Sequence, residues 1–156
     1  MTPFKLTYKT MRQPAGFTLL ETLIVILIIM IISTVAIPSY TGVLLKARRV
    51  EARAALFQAM QQEERFYSEH ASYALFAAPA TVFKWWSGTR PEDSFYELSA
   101  QRCDDLSLRQ CILITATPGT ERVMSGYRDP ECGSLMLDSR NAKSYSGSSP
   151  AHDLCW

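Results

Sequence analysis

The chain has 156 residues, 47% of them hydrophobic and 20% charged, with a formal net charge of +1. That length allows one small domain, and because much of the apolar content lies in one N-terminal run, the globular part is smaller than the length implies. Nucleic acid is disfavoured as a main partner: from Ser68 onward eight Lys and Arg stand against eleven Asp and Glu, with no cluster of basic side chains interleaved with aromatics.

Lys5, Lys9 and Arg12 precede Gly16, so a cut there removes three of sixteen positive charges and leaves thirteen against fifteen acids. Across residues 17–45 the one charged side chain is Glu21, and residues 22–37 read TLIVILIIMIISTVAI. With its flanks, that run is long enough to enter a bilayer as a helix. A secretory signal peptide would have a shorter apolar core followed by a small-x-small cleavage motif. Here the small residues Ala15 and Gly16 come before the core, and no A-x-A follows Ile37 in a suitable setting. Glu21 needs an explanation, since an ionisable group near the end of a membrane helix costs a few kcal/mol unless it is paired or reaches the interface. By spacing alone, snorkelling to the headgroups would serve.

The run GFTLLETLIVILI, 16–28, resembles the class III signal of type IV prepilins: a Gly, then Phe, three residues, then Glu as the fifth residue of the mature chain. The resemblance implies cleavage between Gly16 and Phe17 by a prepilin peptidase and methylation of the new amino group on Phe17 by the same enzyme. It also implies that Glu21 meets the amino terminus of a neighbouring subunit during assembly. A carboxylate and an ammonium, each costly alone in lipid, offset one another when adjacent helices come into register, so the pair sets the axial stagger. The expected organisation is a leader at 1–16, a long helix at 17–67 with a membrane-spanning first half, and a globular head at 68–156. Pro14 and Ala15 stand where a basic residue is common, and sixteen residues is a long leader. A start at Met11 instead of Met1 would give MRQPAG, with Arg12 on the cytoplasmic side.

Pro38 removes a backbone donor and crowds the preceding turn, predicting a kink rather than an end to the helix. In the pilin family this proline is paired with a helix-breaking Gly eight residues earlier, where this chain has Met30. Residues 46–70 are strong helix formers with an apolar stripe of Ala52, Leu56, Ala59, Met60 and Tyr67. Lys46, Arg48, Arg49, Glu51, Arg53, Glu63, Glu64 and Arg65 are read as the solvated remainder of this segment.

Past Tyr67 the composition turns to loop signals, with VFKWW at 82–86 as a short apolar piece whose Trp85 and Trp86 are expected to pack on the helix. Strands are expected at 94–100, 111–118 and 133–139, with a weaker fourth at 122–125 or 143–145. Strands after one long helix predict an α+β fold, the helix lying across a small antiparallel sheet in the manner of a pilin.

All four cysteines, Cys103, Cys111, Cys132 and Cys155, follow the membrane segment, which points to disulfides in an oxidising compartment. Three pairings are open. Cys132 with Cys155 would close the polar end of the chain for about 3.5 kcal/mol, and Cys103 with Cys111 a short loop for about 2.6 kcal/mol. No C-x-x-C is present, and His70 and His152 do not stand at ligand spacing, so no metal is expected. No cofactor is expected either, because no Gly-rich phosphate loop or Cys–His arrangement occurs and the carboxylate pairs Glu63, Glu64 and Asp104, Asp105 are adjacent and point apart.

ECGSLMLDSRNAKSYSG with the closing CW of Cys155 and Trp156 is similar to the C-terminal cysteine loop of minor pilins of the PilE type, as are TATP at 115–118 and ERFYSEHASYA at 64–74. The resemblance implies a scarce, non-enzymatic subunit that helps prime a pilus serving motility or adhesion. Its implied partners are the prepilin peptidase, the major pilin and other minor pilins, the inner-membrane assembly platform and a tip adhesin. Its implied location is the inner membrane with the head in the periplasm, and later the filament at the cell surface. The competing expectations are a type II secretion pseudopilin, a DNA-uptake pilin, and a signal-anchored periplasmic domain with no assembly role.

Overall fold

The computed structural model describes residues 16–156, and the side chains of 35–39 lie outside the described set. Residues 1–15 of the leader, both candidate start residues and the side chain of Pro38 therefore lie outside the described residues. The chain divides into two compact units, Met1–Tyr40 and Thr41–Trp156, and one helix, α1 (Leu19–His70), runs through the division.

In the first unit α1 begins where Thr18 caps it. The Glu21 amide donates to Thr18 Oγ1 at 3.2 Å, satisfying one of the free donors of the first turn. The large apolar side chains that follow are exposed, from 44% at Ile26 to 79% at Leu19. The hydroxyls of Ser33 and Thr34 donate to the carbonyls of Ile29 and Ile31 at 2.7 Å, which lets polar residues sit in an apolar run. Among the described residues no helix is long and apolar enough to cross a membrane. The run read from the sequence, 22–37, extends into positions whose side chains are not described.

The second unit holds the α+β architecture expected from the sequence. Four strands, β1 (Tyr96–Arg102), β2 (Ile112–Pro118), β3 (Leu135–Asp138) and β4 (Lys143–Tyr145), form an antiparallel meander in the order β1-β2-β3-β4. Strand alternation places Tyr96, Leu98, Ala100, Ile112, Ile114, Ala116, Leu135 and Leu137 inward, and these form one core with Ala52, Ala55, Leu56 and Ala59 of α1. Of the two candidates for a fourth strand, 143–145 is β4. The stretch at 122–125 is a turn, held by the Tyr127 amide donating to the Met124 carbonyl at 2.9 Å.

The connection from α1 to β1 lies along the outer edge of β1. Phe76 bridges to Ala100 and Trp86 to Glu97, and the Leu98 amide donates to the Trp85 carbonyl at 2.7 Å. An edge strand covered in this way presents fewer free donors to other chains. Trp85 is half-buried against the core, while Trp86 is half-buried and donates its indole N–H to the Thr89 carbonyl at 3.2 Å.

Candidate functional site

Two regions carry the residues singled out in the sequence. At the N-terminus Gly16, Phe17 and Thr18 precede the helix without regular structure, and all three are exposed. Phe17 is 82% exposed, and the Glu21 side chain stands exposed in the first turn of α1. Among the described residues no cation is paired with its carboxylate.

The second region ties α1 to the end of the chain. Cys103 is joined to Cys111 and Cys132 to Cys155, with Cα separations of 5.6 and 5.5 Å. Asp138 approaches Cys103 and Cys111 within 4.8 Å, but the two sulfurs are bonded to each other and Asp138 accepts from Arg140 Nε at 3.0 Å and from the Ala142 amide at 2.7 Å. These oxygens therefore shape the turn between β3 and β4.

Arg49 corrects the sequence reading. Expected on the solvated surface, it is only 2% exposed. Its guanidinium donates to both oxygens of Asp129, from Nε at 2.7 Å and from NH2 at 2.6 Å, and to Glu131 Oε2 at 2.7 Å. Asp129 also accepts from the Tyr96 hydroxyl at 2.8 Å and from the Cys132 amide at 3.1 Å. The fork of the guanidinium matches the carboxylate, and few partners other than Arg could satisfy it here. Burial pushes the Asp129 carboxyl up, but the bonds from Arg49, the Cys132 amide and Tyr96 outweigh it and hold the carboxyl below its ordinary value. Burial, followed by its contacts with Tyr127 and Asp129, raises the Tyr96 hydroxyl, which stays protonated and able to donate. One buried network thus joins α1, β1 and the Cys132 loop.

Glu63 is the second correction. It too was placed on the surface and is fully buried. The reason is the same for both: positions 49, 52, 56, 59 and 63 alternate three and four apart, so Arg49 and Glu63 continue the seam of Ala52, Leu56 and Ala59 at each end. The heptad spacing was the available signal, and charge type obscured it.

The structure also assembles cation–aromatic contacts from distant parts of the sequence. Lys143 Nζ lies 5.4 Å from the Phe57 ring centre and 5.7 Å from that of Trp156, and Arg48 lies 4.0 Å from that of Phe95. A scan for basic residues interleaved with aromatics along the chain does not reveal such contacts.

The family described as "Type IV minor pilin ComP, DNA uptake sequence receptor" matches residues 38–136, and the prokaryotic N-terminal methylation motif matches residues 11–37. A solved type IV pilin from Shewanella oneidensis is 25% identical, the alignment covering 72% of this chain and 97% of that one with a TM-score of 0.44. No curated protein matches the chain. The methylation motif implies processing by a prepilin peptidase and assembly with other pilins, for a protein first anchored in a membrane and then built into a pilus. With that motif at its N-terminus and more than half of its length matching the minor pilin family, the chain belongs to the type IV minor pilins.

Proposed function

We propose that this minor pilin is a single-pass inner-membrane protein whose head folds in the periplasm. The prepilin peptidase cuts it between Gly16 and Phe17 and methylates Phe17. The assembly platform then moves it into a filament among the major pilin and other minor pilins. Its role is structural: it helps prime the pilus, supports motility or adhesion, and carries a tip adhesin above it. The family match favours a pilus subunit over a type II secretion pseudopilin.

The observation that carries this reading is Glu21, one carboxylate in the first turn of a helix whose other side chains through Thr34 are uncharged. In an apolar filament core that charge needs a cation, and the amino group of a neighbouring Phe17 supplies it at the correct depth. Glu21→Val is expected to leave cleavage intact and to lower incorporation into sheared pili by about tenfold or more, the cost of an unpaired ammonium among apolar helices. Immunoblots of pili and membranes measure both. Unchanged incorporation would show that Glu21 does not place the subunit in the filament. Absence of the unaltered chain from the pili, with filament number unchanged by Glu21→Val, would favour a signal-anchored domain with no assembly role.

The family description supports a second reading, a subunit that binds DNA during uptake. The acidic balance of residues 68–156 counts against it, while the cation–aromatic contacts of Lys143 offer a local surface for it. A shift of labelled duplex by the purified full chain, weakening steeply with salt, is the result that this reading requires.

A further inference from the structure

Among the described residues two buried side-chain oxygens have no hydrogen-bond partner, Glu63 Oε1 and Thr115 Oγ1, and of these only the first can carry a charge. The other oxygen of Glu63 accepts from the Ala74 amide at 2.9 Å. Glu63 therefore fastens the start of the α1 to β1 connection to the helix with one oxygen while the other faces the core unmatched.

The groups around it do not supply a cation. On α1, Glu64 accepts from the Tyr73 hydroxyl at 2.8 Å, and Tyr67 donates its hydroxyl to the Arg109 carbonyl at 3.1 Å. The His70 ring stacks on Phe66 with its Nδ1 3.0 Å from the Phe66 carbonyl. From the connection comes Tyr73, whose amide donates to the Leu108 carbonyl at 3.0 Å in the loop between β1 and β2. That loop contributes Asp104, Asp105 and Arg109, all exposed, and none forms an ion pair with Glu63. Beside this junction lies an open surface groove of about 390 Å³, lined by Phe66, Ala74, Phe76, Val82 and Phe83 among others.

We propose that Glu63 is a protonation-controlled latch: as the neutral acid it holds the connection at 73–87 against β1, and loss of its proton loosens that connection. The consequence falls on the sheet edge. Three backbone bonds attach the connection to β1, Ala100 N–H to the Phe76 carbonyl at 2.8 Å, Leu98 N–H to the Trp85 carbonyl at 2.7 Å, and Ser87 N–H to the Tyr96 carbonyl at 3.0 Å, and the Tyr96 N–H donates to Ser87 Oγ at 3.3 Å. Opening frees the Leu98 and Ala100 donors of an edge strand, which an extended segment of a neighbouring subunit could then pair with.

The range in which the latch works follows from its surroundings. Burial pushes the Glu63 carboxyl up to about 7 from an ordinary 4.5, with the Ala74 amide opposing and the Glu64 charge adding to the rise. The closed state holds the proton more tightly than an open, hydrated one. Closure is therefore most favoured below the ordinary value, weakens as pH rises toward 7, and levels off above it.

The test is hydrogen exchange of the full chain in detergent near pH 5.5 and near pH 8.5, corrected for intrinsic rates. Opening of 73–87 and exchange at Leu98 and Ala100 are expected to rise about 30-fold at the higher pH, with β2, β3 and the Cys132 loop unaffected. In Glu63→Gln the response is expected to be flat, and Glu63→Met serves the same purpose if the Gln variant does not fold. A flat response in the unaltered chain, an equal response in the variants, or opening of the whole head together would each overturn the latch.

Discussion

Arg49→Ala is expected to destabilise the head by about 3–5 kcal/mol, because it leaves Asp129 buried without its cation. The loss exceeds that of a surface ion pair, since Arg49 and the Asp129 side chain are 2% and 0% exposed. Arg49→Lys is expected to recover little, because a single ammonium cannot replace the two-pronged contact with Asp129 together with the bond to Glu131. Thermal unfolding of the full chain in detergent, followed by near-ultraviolet circular dichroism, measures the difference. A loss below about 1 kcal/mol would show that water replaces the pair at little cost. The pH dependence has a definite sign. Asp129 is held below its ordinary 3.8, so its contribution is complete above that value and is lost as acid takes the pH down through the folded value.

Replacing Cys132 and Cys155 together by serine is expected to cost about 3.5 kcal/mol, against about 2.6 kcal/mol for the Cys103 and Cys111 pair, because the first loop is longer. The two largest effects are coupled. Asp129 and Glu131 stand just before Cys132, and the Leu154 carbonyl, 3.4 Å from Arg49, just before Cys155. Opening that disulfide therefore releases the acceptors that hold the guanidinium. Combining the serine pair with Arg49→Ala is expected to destabilise less than the two effects added, whereas the Cys103 and Cys111 pair, which contributes no acceptor to Arg49, combines with it additively. Denaturant unfolding of the five variants decides this, and strict additivity at Cys132 would separate the disulfide from the buried network.

The parts of the fold that were legible are those with a repeating or local signal. GFTLLE announces itself by a charge in an apolar run. Alternation located β1, β2 and β3 to within two residues of each expected start, whereas β4 was one of two candidates for a fourth strand and the structure chose between them. The cysteines left three pairings open, and the structure joins those near each other in the chain.

What was not legible needed a partner far along the chain. Arg49 is recognisable as a core residue only once Asp129, eighty residues later, stands opposite it, and Glu63 only once the connection folds back to place the Ala74 amide against it. In both cases the residue type spoke for the surface and the heptad position for the core. Position decided, because the seam of α1 is buried from Arg49 to Glu63 and polar members of it must find partners there. Lys143 is similar: Phe57, Lys143 and Trp156 are scattered in sequence and meet where the end of the chain returns to the helix.

The central claim, that this chain is processed and built into a pilus, is tested most directly by the intact mass of the protein recovered from sheared pili, with and without reductant. The account predicts a chain beginning at Phe17, carrying one methyl group and gaining the mass of four hydrogens on reduction, as two disulfides require. A chain absent from the pili and present in the membrane with its leader uncut, or cut after Ile37 instead, would contradict it.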